Sequence, residues 1–491
     1  MSSSPSSPTV NNKHGTVVGD SARNPGSEAE KSLRYTELEH SSRLWQALQL
    51  YYPAVLWDLF INLATVLKGM DGTIVGSLVG LDPFKRQYGY VYDGQYVIEA
   101  RWLGAFNYAN LAGAVVGAVL AGFAYDRLGP RTPAQLFAGE LLNGSVIALY
   151  PICASSYIGE VCPLALRGFA ASMTNLAFVV GQFIASGILK GTQILDGKEA
   201  YKIPIATRWA LPATMLILIF FCPDPPFWLA KGGKDDRVER SIRRLASKHV
   251  DPSLKLSHVY ETLRLESLYM QAEGVPSIFE VFRRANLHRL VICVMAYDMQ
   301  AFTGNISFIN YAVYFFELVG LDSSNAFSMN LGLTSIGFVG SCMSWWILPY
   351  VGRRAAYIGG TVTLMILCFV IATLDSAPSS NAAAPWAQCA LIITCNFVYD
   401  ITIGPYCFVL LAEVSSARPR GLTIGLATVT CYLVSIFFAA IILYAMNEDR
   451  GNWRGNTGFL YAGLSLLCAV YCYFCMPETK GRTFEELDIL F

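Results

Sequence analysis

Charge is what this sequence has least of. Of its 491 residues only 15% are Asp, Glu, Lys or Arg, and 36 basic side chains balance 36 acidic ones to a formal net charge of zero. Soluble domains carry about 25% charged residues, so an ordinary water-soluble globule is excluded. With no basic surplus there is no electrostatic footprint for nucleic acid. Histidine is scarce as well. The five present, His14, His40, His249, His258 and His288, all lie in polar segments, which leaves neither an intramembrane metal site nor a histidine proton relay. Zinc-ligand spacing, a phosphate-cradling glycine loop and a nucleophile elbow are all missing. The expectation is a protein that is not an enzyme and uses no cofactor or metal. The N-terminus lacks the apolar core of a cleavable signal peptide.

Apolar sequence fills the space that charge leaves. Hydrophobic residues make up 54% of the chain. Of the thirteen cysteines, Cys153, Cys222, Cys293, Cys368, Cys395, Cys431 and Cys468 sit inside apolar runs, where Cys acts as a small hydrophobe rather than a disulfide partner. A helical span needs roughly 20 apolar residues, so the length allows about a dozen. Eleven runs are long enough: 53–80, 104–125, 134–158, 169–189, 206–222, 290–316, 326–349, 355–374, 387–411, 422–445 and 457–475. The fold class this predicts is an all-α polytopic membrane protein of about 11 spans.

The polar segments divide the chain. Residues 1–50, rich in Ser, Asn and Glu, predict a disordered cytosolic tail, whose close, from Arg34 onward, turns helical and amphipathic as it approaches the first span. A first bundle of about five spans follows over 51–222. Residues 223–289 form a basic loop carrying Lys231, Arg237, Arg240, Arg243, Arg244 and Arg289 among others, which the positive-inside rule makes cytosolic. Within it, charges and apolar residues alternate at helical spacing over 234–248 and predict an interfacial helix. A second bundle of six spans occupies 290–476, and 477–491 is a cytosolic tail. Five crossings between two cytosolic segments is an odd number, so one crossing of the first half is missing or hidden. The gap falls near DRLGPRTPAQLF at 126–137, where a basic turn runs straight into the next span.

Turns repeat between the halves. GFAYDRLGPR at 122–131 matches LPYVGRRA at 348–355, and YIGEVCPLALRG at 157–168 matches LLAEVSSARPRG at 410–421. Duplicated turns around a polar loop indicate two related helical bundles. Asp126, Arg127, Arg131, Glu160, Arg167, Arg353, Arg354, Glu413 and Arg420 are placed to form charge clusters at the cytosolic face, whose breaking and remaking lets two bundles rock.

These turns, with KGMDGTIVGSLVGLDPFKRQYG, GQFIASGIL, PDPPFWLAKGGK, QAFTGNISFINYAVYFFELVGL, IGPYCFVLLAEVSSARPRG and PETKGRTFEELD, resemble the sugar porter family of the major facilitator superfamily, in its fungal maltose permease or α-glucoside:proton symporter branch. The resemblance implies two helical bundles, alternating access and proton-coupled symport of a sugar, in a plasma-membrane monomer with cytosolic termini. Its partners are then sugar, protons and membrane lipid. It also implies that the absent crossing is the family's third helix, missing between Arg131 and Phe137. Glu140 stands where many sugar porters have an Arg. The rival readings are a carrier of a secondary metabolite, a sugar sensor, and an inactive product one helix short; the brief tail after PETKGRTFEELDILF argues against the sensor.

Ionisable residues inside spans are costly and mark functional sites by default. Asp71 lies among Gly69, Gly72 and Gly76 in the first span, Glu140 in the third, Asp298 near the start of the sixth and Asp400 in the ninth. Asp71 and Glu140 are the favoured proton carriers. A low-dielectric site penalises an ionised carboxyl, so such a group exchanges its proton when the cavity opens to water. Pairing of Asp71 with Lys68, one turn away, is the competing structural role. For the substrate, a sugar asks for amides, hydroxyls and rings. The sixth span offers Gln300, Asn305, Asn310 and Tyr311, with Gly304 permitting close approach. The family pattern places Gln300 and Asn305 at the sugar, and Gln182 resembles another contact position. Tyr399, Tyr406 and Phe408, around Gly404 and Pro405, are candidates for an aromatic wall on a broken helix.

Overall fold

A backbone crossing hydrocarbon must satisfy its own hydrogen bonds, and the apolar runs accordingly become helices. The computed structural model describes residues 25–97 and 157–480, with interruptions at 42–43, 78–79, 89, 93–94, 159–160, 196, 248–249, 274–280, 283, 319, 376–382, 416–419, 447–450 and 452. The expected spans 104–125 and, except at its very end, 134–158 lie outside the described residues, as does the junction near Arg131. Among the described residues seven helices are long and apolar enough to cross a membrane: Trp45–Ile74, Gly168–Thr192, Ser323–Ile347, Arg353–Asp375, Ala383–Val414, Gly421–Ile442 and Thr457–Cys475. Their outer faces carry exposed Phe338, Trp346, Phe437, Leu467 and Phe474, as lipid-facing surfaces do. The small exception to helix is an antiparallel hairpin pairing Tyr90–Tyr92 with Gln95–Val97; the sequence between them, Asp93-Gly94, is a strong hairpin-turn pair.

Three expected spans are broken rather than continuous. The run at 290–316 divides into Arg284–Phe302, Asn305–Asn310 and Ala312–Leu318. Gly304 stands at the break with φ +78°, and the ring of Tyr461 occupies the place where a Cβ would project, so only glycine fits. The run at 206–222 begins earlier and divides into Glu199–Thr207 and Ala210–Leu218. Pro212 has no N–H to give the carbonyl of Arg208, which leaves Arg208 at the interruption. A third break separates Ala383–Ile401 from Ile403–Val414 at Thr402, next to the Ile401 carbonyl that Pro405, lacking an N–H, cannot bond.

The helices assemble across the two halves of the chain. Leu44–Ser77 packs along Leu164–Thr192, and Leu164–Thr192 packs in turn on Ser323–Ile347 and Ile403–Val414. At the first crossing a Cβ on Gly69 would strike the carbonyl of Phe178, and one on Gly181 the carbonyl of Val66. Small residues let the two backbones touch, the usual means of packing helices in lipid. In the second half Arg353–Asp375 packs on Thr457–Cys475, and Arg284–Phe302 on Arg420–Met446.

The polar segments differ from one expectation. Residues 25–41, read as disordered ahead of Arg34, form the helix Pro25–Ser41. It packs on Pro252–Glu273 because Tyr35 is buried against His258, with ring centres 5.1 Å apart, and its hydroxyl meets that of Tyr51 at 3.3 Å. The central loop is helical at Asp235–Leu245, where Val238, Ile242 and Leu245 turn inward. Asp251 precedes Pro252–Glu273 and accepts from the Ser253 N–H at 2.9 Å, a bond that holds its carboxyl below the ordinary value.

Candidate functional site

A cavity of about 200 Å³ opens between the halves. Helical spacing explains its walls. Asn175, Phe178 and Gln182 fall at i, i+3 and i+7 of Leu164–Thr192, and Lys68, Asp71 and Gly72 occupy one face of Leu44–Ser77. From the second half come Tyr297 and Gln300 on Arg284–Phe302, Asn310 and Tyr311 beyond the Gly304 break, Tyr399, Asp400 and Phe408 around the Thr402 break, and Tyr432 on Arg420–Met446. The broken helices thus deliver wall residues from both sides of the Gly304 and Thr402 interruptions.

Asp71 is 1% exposed and ion-paired with Arg208. Lys68, the expected alternative partner, bonds instead to the Tyr432 hydroxyl. Asp400, also 1% exposed, accepts from Asn175 Nδ2 at 3.2 Å, and the same amide reaches Ser341 Oγ at 3.0 Å. Asp298 is buried but does not line the cavity. Glu140 lies outside the described residues.

The amide and aromatic candidates separate into two groups. Gln182, Gln300, Asn310, Tyr311 and Phe408 line the cavity. Gln300 is held by Tyr399, whose hydroxyl donates to Oε1 at 2.6 Å, and by a contact from Nε2 to Cys407 Sγ at 3.0 Å. Phe408 stacks near Phe178 and meets Tyr297 edge-on, each at 6.0 Å between ring centres. Gly304, Asn305 and Tyr406 do not reach the wall. Gly304 backs onto Tyr461, Asn305 donates to Asn396 at 3.2 Å, and Tyr406 is fully buried in the core. Sequence reasoning did not select Lys68, Asn175, Tyr297, Arg208 or Tyr432 for the site. Arg208 was legible only as the end of a short span, because its partner is more than a hundred residues earlier.

The charge clusters are partly described. Arg353 grips Glu413 at 2.8 Å, Glu478 accepts from the backbone N–H groups of Arg353 and Arg354 at 2.8 and 3.2 Å, and Thr479 donates to Glu413 at 2.6 Å. The PETK motif therefore joins a network expected from the turns alone. Asp126, Arg127, Arg131 and Glu160 lie outside the described residues, as do the side chains of Arg167 and Arg420. At the other end of the bundles, Lys85 on Asp82–Tyr88 pairs with Glu317 at 2.8 Å and ties the halves together.

The arrangement has known counterparts. Residues 110–491 match the family model described as sugar (and other) transporter. The alpha-glucosides permease MPH3 of Saccharomyces cerevisiae is 30% identical over 515 aligned positions that cover 99% of this chain and 84% of the permease. The maltose permease MAL31 of the same yeast is 29% identical, covering 99% of this chain and 82% of its own. The proton:xylose symporter XylE bound to 6-bromo-6-deoxy-D-glucose shares the fold with a TM-score of 0.69 at 19% identity, over 90% of this chain and 99% of that one. The inward open conformation of the xylose transporter XylE from E. coli does so with a TM-score of 0.61 at 18% identity, over 90% and 99%. Family match, near-full-length relatives and shared fold agree: this chain belongs to the sugar (and other) transporter family, and is a multi-pass sugar transporter with the major facilitator fold rather than an enzyme.

Proposed function

We propose that this transporter carries an α-glucoside or maltose-like sugar together with a proton by alternating access. The observation that carries the reading is the cavity itself, in which an Asp71–Arg208 pair, the amides of Gln182, Gln300 and Asn310, and the rings of Tyr311 and Phe408 meet between the two halves. Amides satisfy sugar hydroxyls in pairs and rings cover C–H faces. Asp71 is the group that takes the proton, because its neutralisation releases the half-buried Arg208 guanidinium that it pairs with and so changes the charge beside the cavity. Two bundles, 51–222 and 290–476, rock about this site, with the loop 223–289 and both termini cytosolic, in a plasma-membrane monomer. The printed names of the yeast relatives, permeases of α-glucosides and maltose, support the choice of cargo.

The bundles are also one helix short in this reading, with the family's third helix absent near Arg131. In its support, the 515 positions aligned with the yeast permease exceed the 491 residues of this chain, so the relative sets at least 24 residues opposite gaps. Sequencing the transcript between the codons for Arg131 and Thr132 distinguishes a true deletion from a misjoined gene. The function is tested by uptake of labelled maltose in transporter-null cells. It should require an inward proton gradient and fail in Asp71→Asn; gradient-independent uptake, or an unchanged variant, contradicts symport.

A further inference from the structure

The cavity holds a cation that no carboxylate of the described chain balances. Asp71, one turn along the helix, is taken by Arg208, and Lys85 is taken by Glu317. Among the described residues no acidic side chain pairs with Lys68. Its ammonium bonds to the Tyr432 hydroxyl and lies 4.9 Å from the ring centre of Phe178 and 4.6 Å from that of Tyr432. Ring faces return about 0.5–2 kcal/mol to a cation, whereas desolvating an ammonium costs several. A half-buried cation on these terms gains little from its neighbours. It is a good subsite for an anion.

The surrounding chemistry fits that use. Tyr432 accepts from Lys68, which leaves its own O–H to donate, so two donors meet at one point of the wall. Asp400 does not compete for that point: its neighbours are Asn175 and Ser341, and neither touches Lys68. Away from that point the wall offers the amides of Gln182, Gln300 and Asn310, which suit sugar hydroxyls. An anion at one place and hydroxyls at another describe a sugar acid.

We propose that Lys68 and Tyr432 form an anion subsite that reads a carboxylate on the sugar, so that the preferred cargo is a glycoside carrying an aldonate or uronate unit. This inference rests on the sugar-transport reading and narrows its substrate class. The test is titration of the purified full chain in detergent with maltobionate and with maltitol, a neutral disaccharide of the same skeleton, alongside maltose. Maltobionate should bind at least about tenfold more tightly than maltitol, the scale of a close buried charge pair. That ratio should fall towards one in Lys68→Gln and persist in Lys68→Arg. Equal or weaker binding of maltobionate to the unaltered chain, or a ratio that survives Lys68→Gln, overturns the subsite and leaves neutral sugar transport standing. If Lys68→Gln does not fold, the ratio in the unaltered chain decides. Binding of none of the three ligands overturns both the subsite and the sugar reading beneath it.

Discussion

Asp71 and Asp400 line the same cavity, and each is 1% exposed, yet they are held in opposite ways. Asp71, in the first half, has the guanidinium of Arg208, also in the first half. Asp400, in the second half, has the amide of Asn175, which belongs to the first. A proton arriving at Asp71 cancels one member of an ion pair and changes the charge within one bundle. The bond at Asp400 joins a neutral donor to a carboxyl between the first and second halves, and in the proposed alternating access it would break as the bundles rock apart. Burial alone therefore does not identify a coupling residue. In the proposed mechanism, the charge and the ownership of its partner separate the carboxyl that handles the proton from one that fastens a conformation.

The comparison breaks most severely at Arg208. Removing one member of a buried pair leaves the other charge uncompensated, at about 3–5 kcal/mol. Arg208→Gln should thus lower maltose uptake by about 100-fold or more, measured as initial rate per transporter at the cell surface. Adding Asp71→Asn should return stability towards that of the original chain, seen as thermal unfolding of the purified protein, without restoring accumulation. At Asn175 the loss is one hydrogen-bonding amide, worth about 1 kcal/mol. Asn175→Ala should change the uptake rate by about fivefold while accumulation against a gradient persists. Asp400→Asn retains an acceptor oxygen for Asn175, so the expected effect is smaller still, with uptake remaining sensitive to the proton gradient.

Much of the fold was legible because hydrocarbon imposes a length on every span. The last run, 457–475, coincides with Thr457–Cys475, and 355–374 lies inside Arg353–Asp375. Breaks were less legible. Gly304 could be read as a point of close approach, but only its φ of +78° shows that the helix turns there. Asn305 fits the family pattern of a sugar contact, yet the turn at Gly304 carries it to Asn396 instead of the cavity. Arg208 and Tyr432 were hidden for a different reason. Each meets its partner through tertiary packing, Asp71 in one case and Lys68 in the other, and helical periodicity carries no information about residues so far apart.

Sugar-driven proton movement tests the division between the two carboxyls most directly. With the purified chain reconstituted in vesicles and no imposed gradient, addition of maltose outside should draw protons inward and raise the external pH. Asp71→Asn should abolish this alkalinisation, and Asp400→Asn should retain it. Alkalinisation that survives Asp71→Asn, or is lost in Asp400→Asn alone, would contradict the assignment of the coupling proton to Asp71.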